Sequence, residues 1–498
     1  MQEVYGIYKR KDRAMAYRDL REWIDTLDRE GELARVKAEV DWDLGIGGIL
    51  RENMDRNGPA LLFENIKDYK NTICTKLFSS SLSSHSRIAL MLGLPKDTSY
   101  KDLIRVWRER TKKPIKPVIV DRGPCKENIL KGEEVDLFQF PTPHWQKLDG
   151  GRYIGTFHGV VTKDPDTGWT NVGTYRQMIH DKNTTTMSMA QGQHIWFHWR
   201  KYRPRGKNMP LAVAIGWDQV LPAVAAAPVA TGIDEYTVMG ALRQAPVELV
   251  KCETVDLYVP ASSEIVLEGE VITDRSKFIP CGPFGEYTGH YGSANLRPPF
   301  KVHCITFRND PILQGTLEGM PINEDHRICS VSHSALIWDL LEERMTGVTG
   351  VNNDPSTAYA NLIVQIDNSY YGQVHQVAAN VWSSHLSNMM CKNIIVCDQD
   401  VDIYDLNRVF WAFAYRVDPS KDIIQFPGWI SALDPIVHPK DRLGPGGNKG
   451  IRLLIDATKP IERPRAEEYW GEKFAVVAFP DEETMKKVRE EWGKYGIK

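Results

Sequence analysis

Between about residues 211 and 308, the helical periodicity seen toward both ends of this 498-residue chain gives way to short β-patterned runs. Leu211–Gly216, Glu264–Ile272 and Phe300–Arg308 are apolar runs broken by Gly and Pro. They predict a mainly β unit, open or barrel-like, with a helix only near Glu235–Arg243. The flanks read differently. Leu20, Trp23, Ile24 and Leu27 recur at helical spacing, and Gly31 stands where that helix would close. Ala60–Phe63 reads as a strand and Ser84–Leu92 as a capped helix. Lys113–Gly123, with two prolines, reads as a linker.

Beyond residue 328 the alternation returns. Cys329–Glu343 and Leu406–Tyr415 read as helices, and Ile394–Cys397 and Ile451–Ile455 as strands. Met485, Val488 and Trp492 line one face of a terminal helix after Pro480, suited to docking on its own domain, a neighbouring one or another subunit. A chain this long exceeds what one core usually serves. The expected fold is mixed α/β (α+β): an N-terminal α/β domain over 1–115, a central β domain over 116–322 and a C-terminal α/β domain over 323–498.

The net charge of −3 gives no general pull toward nucleic acid or anionic membranes. Eight scattered cysteines include no CxxC pair, which argues against zinc-ribbon and thioredoxin chemistry and for buried thiols. The first twenty residues lack the apolar core of a signal peptide, and no stretch approaches the ~18 apolar residues of a membrane span. A reducing, cytoplasmic setting is expected.

Several common enzyme motifs are missing. The glycine-rich LGPGGNKG at 443–450 lacks phosphate-loop spacing, no GxGxxG follows a strand, and neither GxSxG nor HExxH occurs. Two segments carry more information. Gly168–Trp199 gathers Asn171, Arg176, His180, Gln193, His194 and His198 among aromatic residues. With Glu235 further on, Asn171 and His194 are donors that suit a hard divalent ion, although a polar strand pair with surface histidines has the same composition. In Phe278–Gly292, a Gly- and Pro-rich turn delivers Glu286 beside Phe284, Tyr287 and Tyr291. Desolvated there, its carboxyl would suit a general acid; on an exposed turn it would be an ordinary solvated Glu.

Taken together, WTN at 169–171, Arg176, MIHDKN at 178–183, QHIW at 193–196, Glu235, the long run at 248–270, GPFGE at 282–286, DVDIYD at 400–405 and WAF at 411–413 resemble the UbiD family of prenylated-FMN-dependent decarboxylases. The ferulic acid and protocatechuate decarboxylases are branches of it. The resemblance runs in one order over most of the chain. It implies a central split β-barrel of flavin-reductase type that binds prenylated FMN, with Mn2+ (or Mg2+) and K+ near the cofactor phosphate. It further implies a C-terminal domain that dimerises, giving a homodimer or higher homo-oligomer. By position, Asn171, His194 and Glu235 match the metal ligands. Asn171, Val172, Gly173, Thr174, Tyr175 and Arg176, with Gln193, His194 and Glu235, match the cofactor-binding residues. Arg176 and Glu286 match the catalytic Arg and acid. The implied activity is reversible, non-oxidative decarboxylation of an aromatic, heteroaromatic or α,β-unsaturated acid, with the cofactor supplied by a flavin prenyltransferase.

The chain departs from the family pattern in places. Cys281 stands where the ferulic branch has a second Glu, as also happens in the protocatechuate branch. Glu324, Asp325 and His326 fall where that second branch places two acids and a substrate-binding His, so His326 joins the catalytic candidates. The family's phosphate-side Lys falls at Leu386, with Lys392 nearby, and the K+ site would use carbonyls around Val224, Ala225 and Ala227. Ala190, Tyr287, His290, Trp429 and Ile430 are expected substrate-pocket residues, with Arg297 a further polar contact; flat Tyr and Trp walls favour an aromatic acid. Two other readings are a subunit of a multi-component carboxylase and an ordinary FMN-binding redox protein.

Overall fold

A computed structural model describes residues 17–387, 390–441, 448–461 and 474–497. The LGPGGNKG loop therefore lies largely outside the described residues.

The N-terminal layer begins with the helix Leu20–Arg29, where Asp19 accepts from the backbone N–H groups of Arg21 and Glu22. Its apolar stripe is fully buried, and Gly31 takes the left-handed conformation just past the end (φ +71°). Ser84 likewise caps His85–Met91. Four strands make the sheet: Leu33–Val36, Ala60–Phe63, Lys76–Ser79 and, returning from far along the chain, Ile312–Gln314. This layer is thus not completed within residues 1–115. Buried polar links tie it to the centre. Trp23 Nε1 donates to Ser81 Oγ (2.8 Å), which donates to Gln219 Oε1 (2.6 Å).

The centre is a curled, antiparallel half-barrel sheet of nine strands. The expected strands appear at its middle as Met209–Ile215, Ile265–Val271 and Pro299–Phe307. Curvature needs a bulge at Glu268/Gly269, and only glycine fits there, because a Cβ would collide with the Lys301 carbonyl. Two differences from the sequence reading stand out. The stretch expected to be a linker contributes a two-residue strand, Val118–Ile119, pairing in parallel with Glu248–Lys251. Helices His194–Tyr202 and Val220–Ala225 join the expected Glu235–Arg243.

The C-terminal layer starts with the helix Glu324–Arg344, capped by Asn323, which is longer at its N-terminus than periodicity suggested. Its five-stranded sheet runs in the order Val348–Asn353, Asn361–Ile366, Asn393–Asp398, Asn448–Ala457 and Ile423–Ile430. The last is an antiparallel edge strand that the sequence pattern did not reveal. The terminal helix forms as Glu482–Glu490, but Met485 and Val488 are only half-buried and Trp492 is exposed, so its apolar face does not dock tightly on this chain. All eight cysteines are buried and free. Among the described residues, no helix is long and apolar enough to cross a membrane.

Candidate active site

A cavity of about 780 Å³ opens where the half-barrel meets the start of the Glu324–Arg344 helix and the Ala432–Leu433 loop of the C-terminal layer. Of the residues predicted from sequence, Thr174, Tyr175, Arg176, Ala190, Gln193, Glu286, Tyr287 and Arg297 line it.

Arg176 follows the strand Thr170–Gly173, and Gly173 is required there because a Cβ would press on the Tyr175 ring. On the opposite wall, Phe284–Gly285 pairs with Tyr291–Gly292 to form a small hairpin that presents Glu286. Asp149 holds this turn by accepting from the Gly285 N–H (3.0 Å) and the Gln146 N–H (3.1 Å). Burial raises the Asp149 carboxyl above its usual range, and these N–H groups oppose the rise. Gly292 leaves room for Glu286, since a Cβ there would lie 2.7 Å from Glu286 Oε1.

Glu286 and Arg176 form an ion pair, and the Arg176 guanidinium lies 5.0 Å from the centre of the Phe284 ring. The expected apolar cage around Glu286 is thus only partial. Its nearest partner is a cation, and Tyr291 is 40% exposed. Arg176 Nε is buried and finds no protein acceptor.

Of the three residues matched to a metal site, Glu235 and His194 come together, and Asn171 adjoins the residue whose N–H Glu235 accepts. Glu235 opens its helix and accepts from Val172 N (2.9 Å), with His194 Nδ1 3.8 Å from its other oxygen. Asn171, buried, is the residue preceding Val172. Burial raises the Glu235 carboxyl, which the His194 contact offsets only in part. A buried carboxylate with so little cationic compensation, beside an amide and an imidazole, fits a hard divalent ion. Among the described residues no group of three or more His, Cys, Asp or Glu is placed to hold a metal, and this set has only two such residues plus Asn171. The carbonyls of Val224, Ala225 and Ala227 each accept one backbone N–H, from Ala227, Thr174 and Val229. That leaves each a second lone pair for a cation.

Other expectations change on the structure. His326 is fully buried and does not line the cavity. Its Nδ1 accepts from Asn323 N (3.2 Å), so Nε2 carries the proton and donates to the Tyr287 carbonyl (2.7 Å). Both nitrogens are therefore committed to backbone. Trp429 and Ile430 line a second cavity of about 240 Å³, separated from the first by Tyr287, which borders both. His290 is exposed; its carbonyl accepts from Glu286 N (2.9 Å) and its ring bonds the Thr288 carbonyl. Lys392 borders the second cavity and pairs with Asp434 (2.7 Å).

Glu318 was not foreseen. It lines the main cavity with Asp325, and burial, then the Asp325 charge, pushes its carboxyl well above the usual range. Asp325 accepts from Tyr359 Oη (2.8 Å) and Cys329 Sγ (3.3 Å). Nothing in the spacing around Glu318 distinguishes it from a surface Glu; its position shows only in three dimensions.

Three family profiles of 3-octaprenyl-4-hydroxybenzoate carboxy-lyase match the chain: the N-terminal domain over 24–107, the Rift-related domain over 116–321 and the C-terminal domain over 326–457. Pyrrole-2-carboxylic acid decarboxylase of Pseudomonas aeruginosa is 34% identical over 499 aligned residues, 96% of this chain and 98% of that protein. Vanillic acid decarboxylase of Sedimentibacter hydroxybenzoicus, in its closed form, superposes with a TM-score of 0.84 at 33% identity, covering 96% of this chain and 99% of the other. The UbiD-class enzyme HmfF from Pelotomaculum thermopropionicum, in complex with FMN, gives 0.81 at 26% identity over 95% and 99% of the two chains. An evolved dimeric form of HmfF, in complex with prFMN, gives 0.78 at 25% identity over 91% and 97%. With a cavity set between the half-barrel and the C-terminal layer and relatives matched along nearly their whole length, this chain belongs to the UbiD family of carboxy-lyases, the decarboxylases.

Proposed function

We propose that this protein decarboxylates an aromatic or heteroaromatic carboxylic acid, or an α,β-unsaturated one, with prenylated FMN as its cofactor. The observation that carries this reading is the Arg176–Glu286 ion pair on the wall of the roughly 780 Å³ cavity. The cavity falls within the size range of small-molecule and cofactor sites, roughly 300–1,000 Å³. Its aromatic lining (Trp199, Phe278, Phe284) and the unpartnered Arg176 Nε suit a flat, polar-edged ring system. Asn171, His194 and Glu235 would hold Mn2+ or Mg2+ at the phosphate end, and the Val224–Ala227 carbonyls K+.

The net reaction is R–COO⁻ + H⁺ → R–H + CO2. Prenylated FMN, when bound, supplies the electron sink that no amino-acid side chain offers. Arg176 orients the carboxylate, its planar guanidinium matching the planar anion. As the substrate anion draws Arg176 away, Glu286 loses its counter-charge and takes up a proton from solvent. Glu286 then donates that proton to the carbon that carried CO2. His326 acts as a positioning residue, fixing the backbone at Tyr287. Exposed Phe410 and Tyr415 on the helix Leu406–Arg416, near the open edge strand Ile423–Ile430, support self-association through the C-terminal layer.

The test is protein co-produced with a flavin prenyltransferase, supplied with Mn2+ and K+, and offered pyrrole-, furan-, hydroxybenzoic and cinnamic acids. CO2 release that depends on the prenylated cofactor is expected. No turnover across the panel, with prenylated FMN confirmed in the protein, overturns the reading.

A further inference from the structure

Arg297 ends the strand Asn295–Arg297, which pairs with Ile279–Cys281 and places Arg297 opposite Ile279. It lines the same cavity as Arg176 and Glu286. Its Nε is buried without an acceptor, and among the described residues its guanidinium makes no hydrogen bond or ion pair. Burial, and then the neighbouring Arg176 charge, lowers it below the usual arginine range. A half-buried guanidinium with no anion and a second guanidinium nearby is an unfavourable arrangement by itself.

Charge balance says what is missing. Arg176 is matched by Glu286, and the cavity's other acids, Glu318 and Asp325, make no ion pair with Arg297, so the positive charge of Arg297 stands without a counter-ion among the described residues. A monocarboxylate brings one negative charge in a planar shape that a guanidinium can bind through two N–H groups. A phosphate can also be held through two N–H groups, but its greater charge would overshoot the single positive charge of Arg297.

Resting on the decarboxylase reading above, we propose that Arg297 is the primary anchor for the substrate's carboxylate, with Arg176 completing a two-arginine clamp. The anion settles on Arg297 first, because Arg176 is already paired. This contact is made in the ground state and disappears as the carboxylate becomes neutral CO2. It therefore serves binding more than the chemical step.

The test compares wild type, Arg297→Gln and Arg297→Lys, using benzoate, pyrrole-2-carboxylate and the neutral pyrrole-2-carboxamide as probes. Thermal shift and calorimetry are read on the FMN-loaded protein. Arg297→Gln is expected to weaken both acids by about 10- to 100-fold, the range for a lost charge-assisted contact, and to leave the amide unchanged. Arg297→Lys should recover part of the acid affinity. In turnover, KM should rise with kcat nearly constant. Equal affinity of wild type and Arg297→Gln for the acids, or no acid binding to wild type, overturns the anchor. So does loss of FMN retention by Arg297→Gln with acid binding intact, which would assign the arginine to the cofactor. A wild type that binds the acids through Arg297 yet, with prenylated FMN confirmed in the protein, releases no CO2 from any acid of the panel would overturn the decarboxylase reading and leave the anchor standing.

Discussion

Arg176 and Glu286 are 110 residues apart in the chain and meet as an ion pair across one end of the main cavity. Arg176 comes from the half-barrel and Glu286 from a separate hairpin clamped by Asp149. The pair can form only when both elements are seated, so its geometry reports on the integrity of the site. Arg176→Lys keeps the charge but loses the planar fork and the stacking on Phe284. We expect turnover to fall by about 10²-fold, the cost of roughly 1 Å of misplacement, with the melting temperature little changed. Steady-state kinetics beside a thermal melt checks this.

Divalent-ion binding should depend on Glu235. Mn2+ is expected to raise the melting temperature of the wild type, since a ligand at about 100 times its Kd adds about 2.7 kcal/mol. Glu235→Gln retains an acceptor for the Val172 N–H and should stay folded, yet show no Mn2+ shift. An equal shift in both proteins would remove Glu235 from the metal site.

Tyr287 is a wall between two cavities and a bridge between layers. Its Oη lies 2.9 Å from Ser431 Oγ, and its ring stacks on Tyr359 at 5.7 Å. Tyr287→Phe removes the hydroxyl, an interaction worth about 1 kcal/mol, so a change of several-fold in KM is expected. Tyr287→Ala should join the two cavities and admit bulkier acids, measurable as a shift in substrate preference toward larger rings.

Acid sensitivity has an identifiable source in buried neutral histidines. Burial pulls His158 down to about 4 and His333 to about 3, and each has a buried Nδ1 without a partner. The folded protein thus resists protonation that the unfolded chain accepts near pH 6.5. With folded values below unfolded ones, this part of the stability is present above pH 6.5 and is lost as pH falls toward 4 and 3. Denaturation midpoints between pH 7 and 4.5 should fall steadily. Replacing His158 or His333 by Gln should flatten that dependence if the variant folds, and an unchanged slope in folded variants would refute the assignment.

Much of the fold was legible because local signals agreed with tertiary placement. Gly31 does close the first helix and Ser84 does cap its own, and the three central β runs do lie in the barrel within two residues of the expected ends. What escaped has physical causes. His194–Tyr202 mixes aromatic and charged side chains, and only His198, Ile195 and Trp199 are buried, which is too weak a periodicity to read. Ile423–Ile430 is an exposed edge strand that contains Pro427, so neither alternation nor an apolar run marks it. In the site, resemblance brought Arg176, Glu286 and the Asn171–His194–Glu235 set together. It could not show that Tyr287 partitions the space, leaving Trp429 and Ile430 in the smaller cavity, or that the nitrogens of His326 are already engaged.

The most direct test follows the proton. Decarboxylation in D2O by cofactor-loaded wild type and Glu286→Gln, on whichever acid of the panel turns over, reads both rate and label. We predict product with one deuterium on the carbon that bore the carboxylate, and a loss of at least about 10²-fold in turnover for Glu286→Gln, as for removal of a general acid. Wild-type turnover by Glu286→Gln would contradict the account.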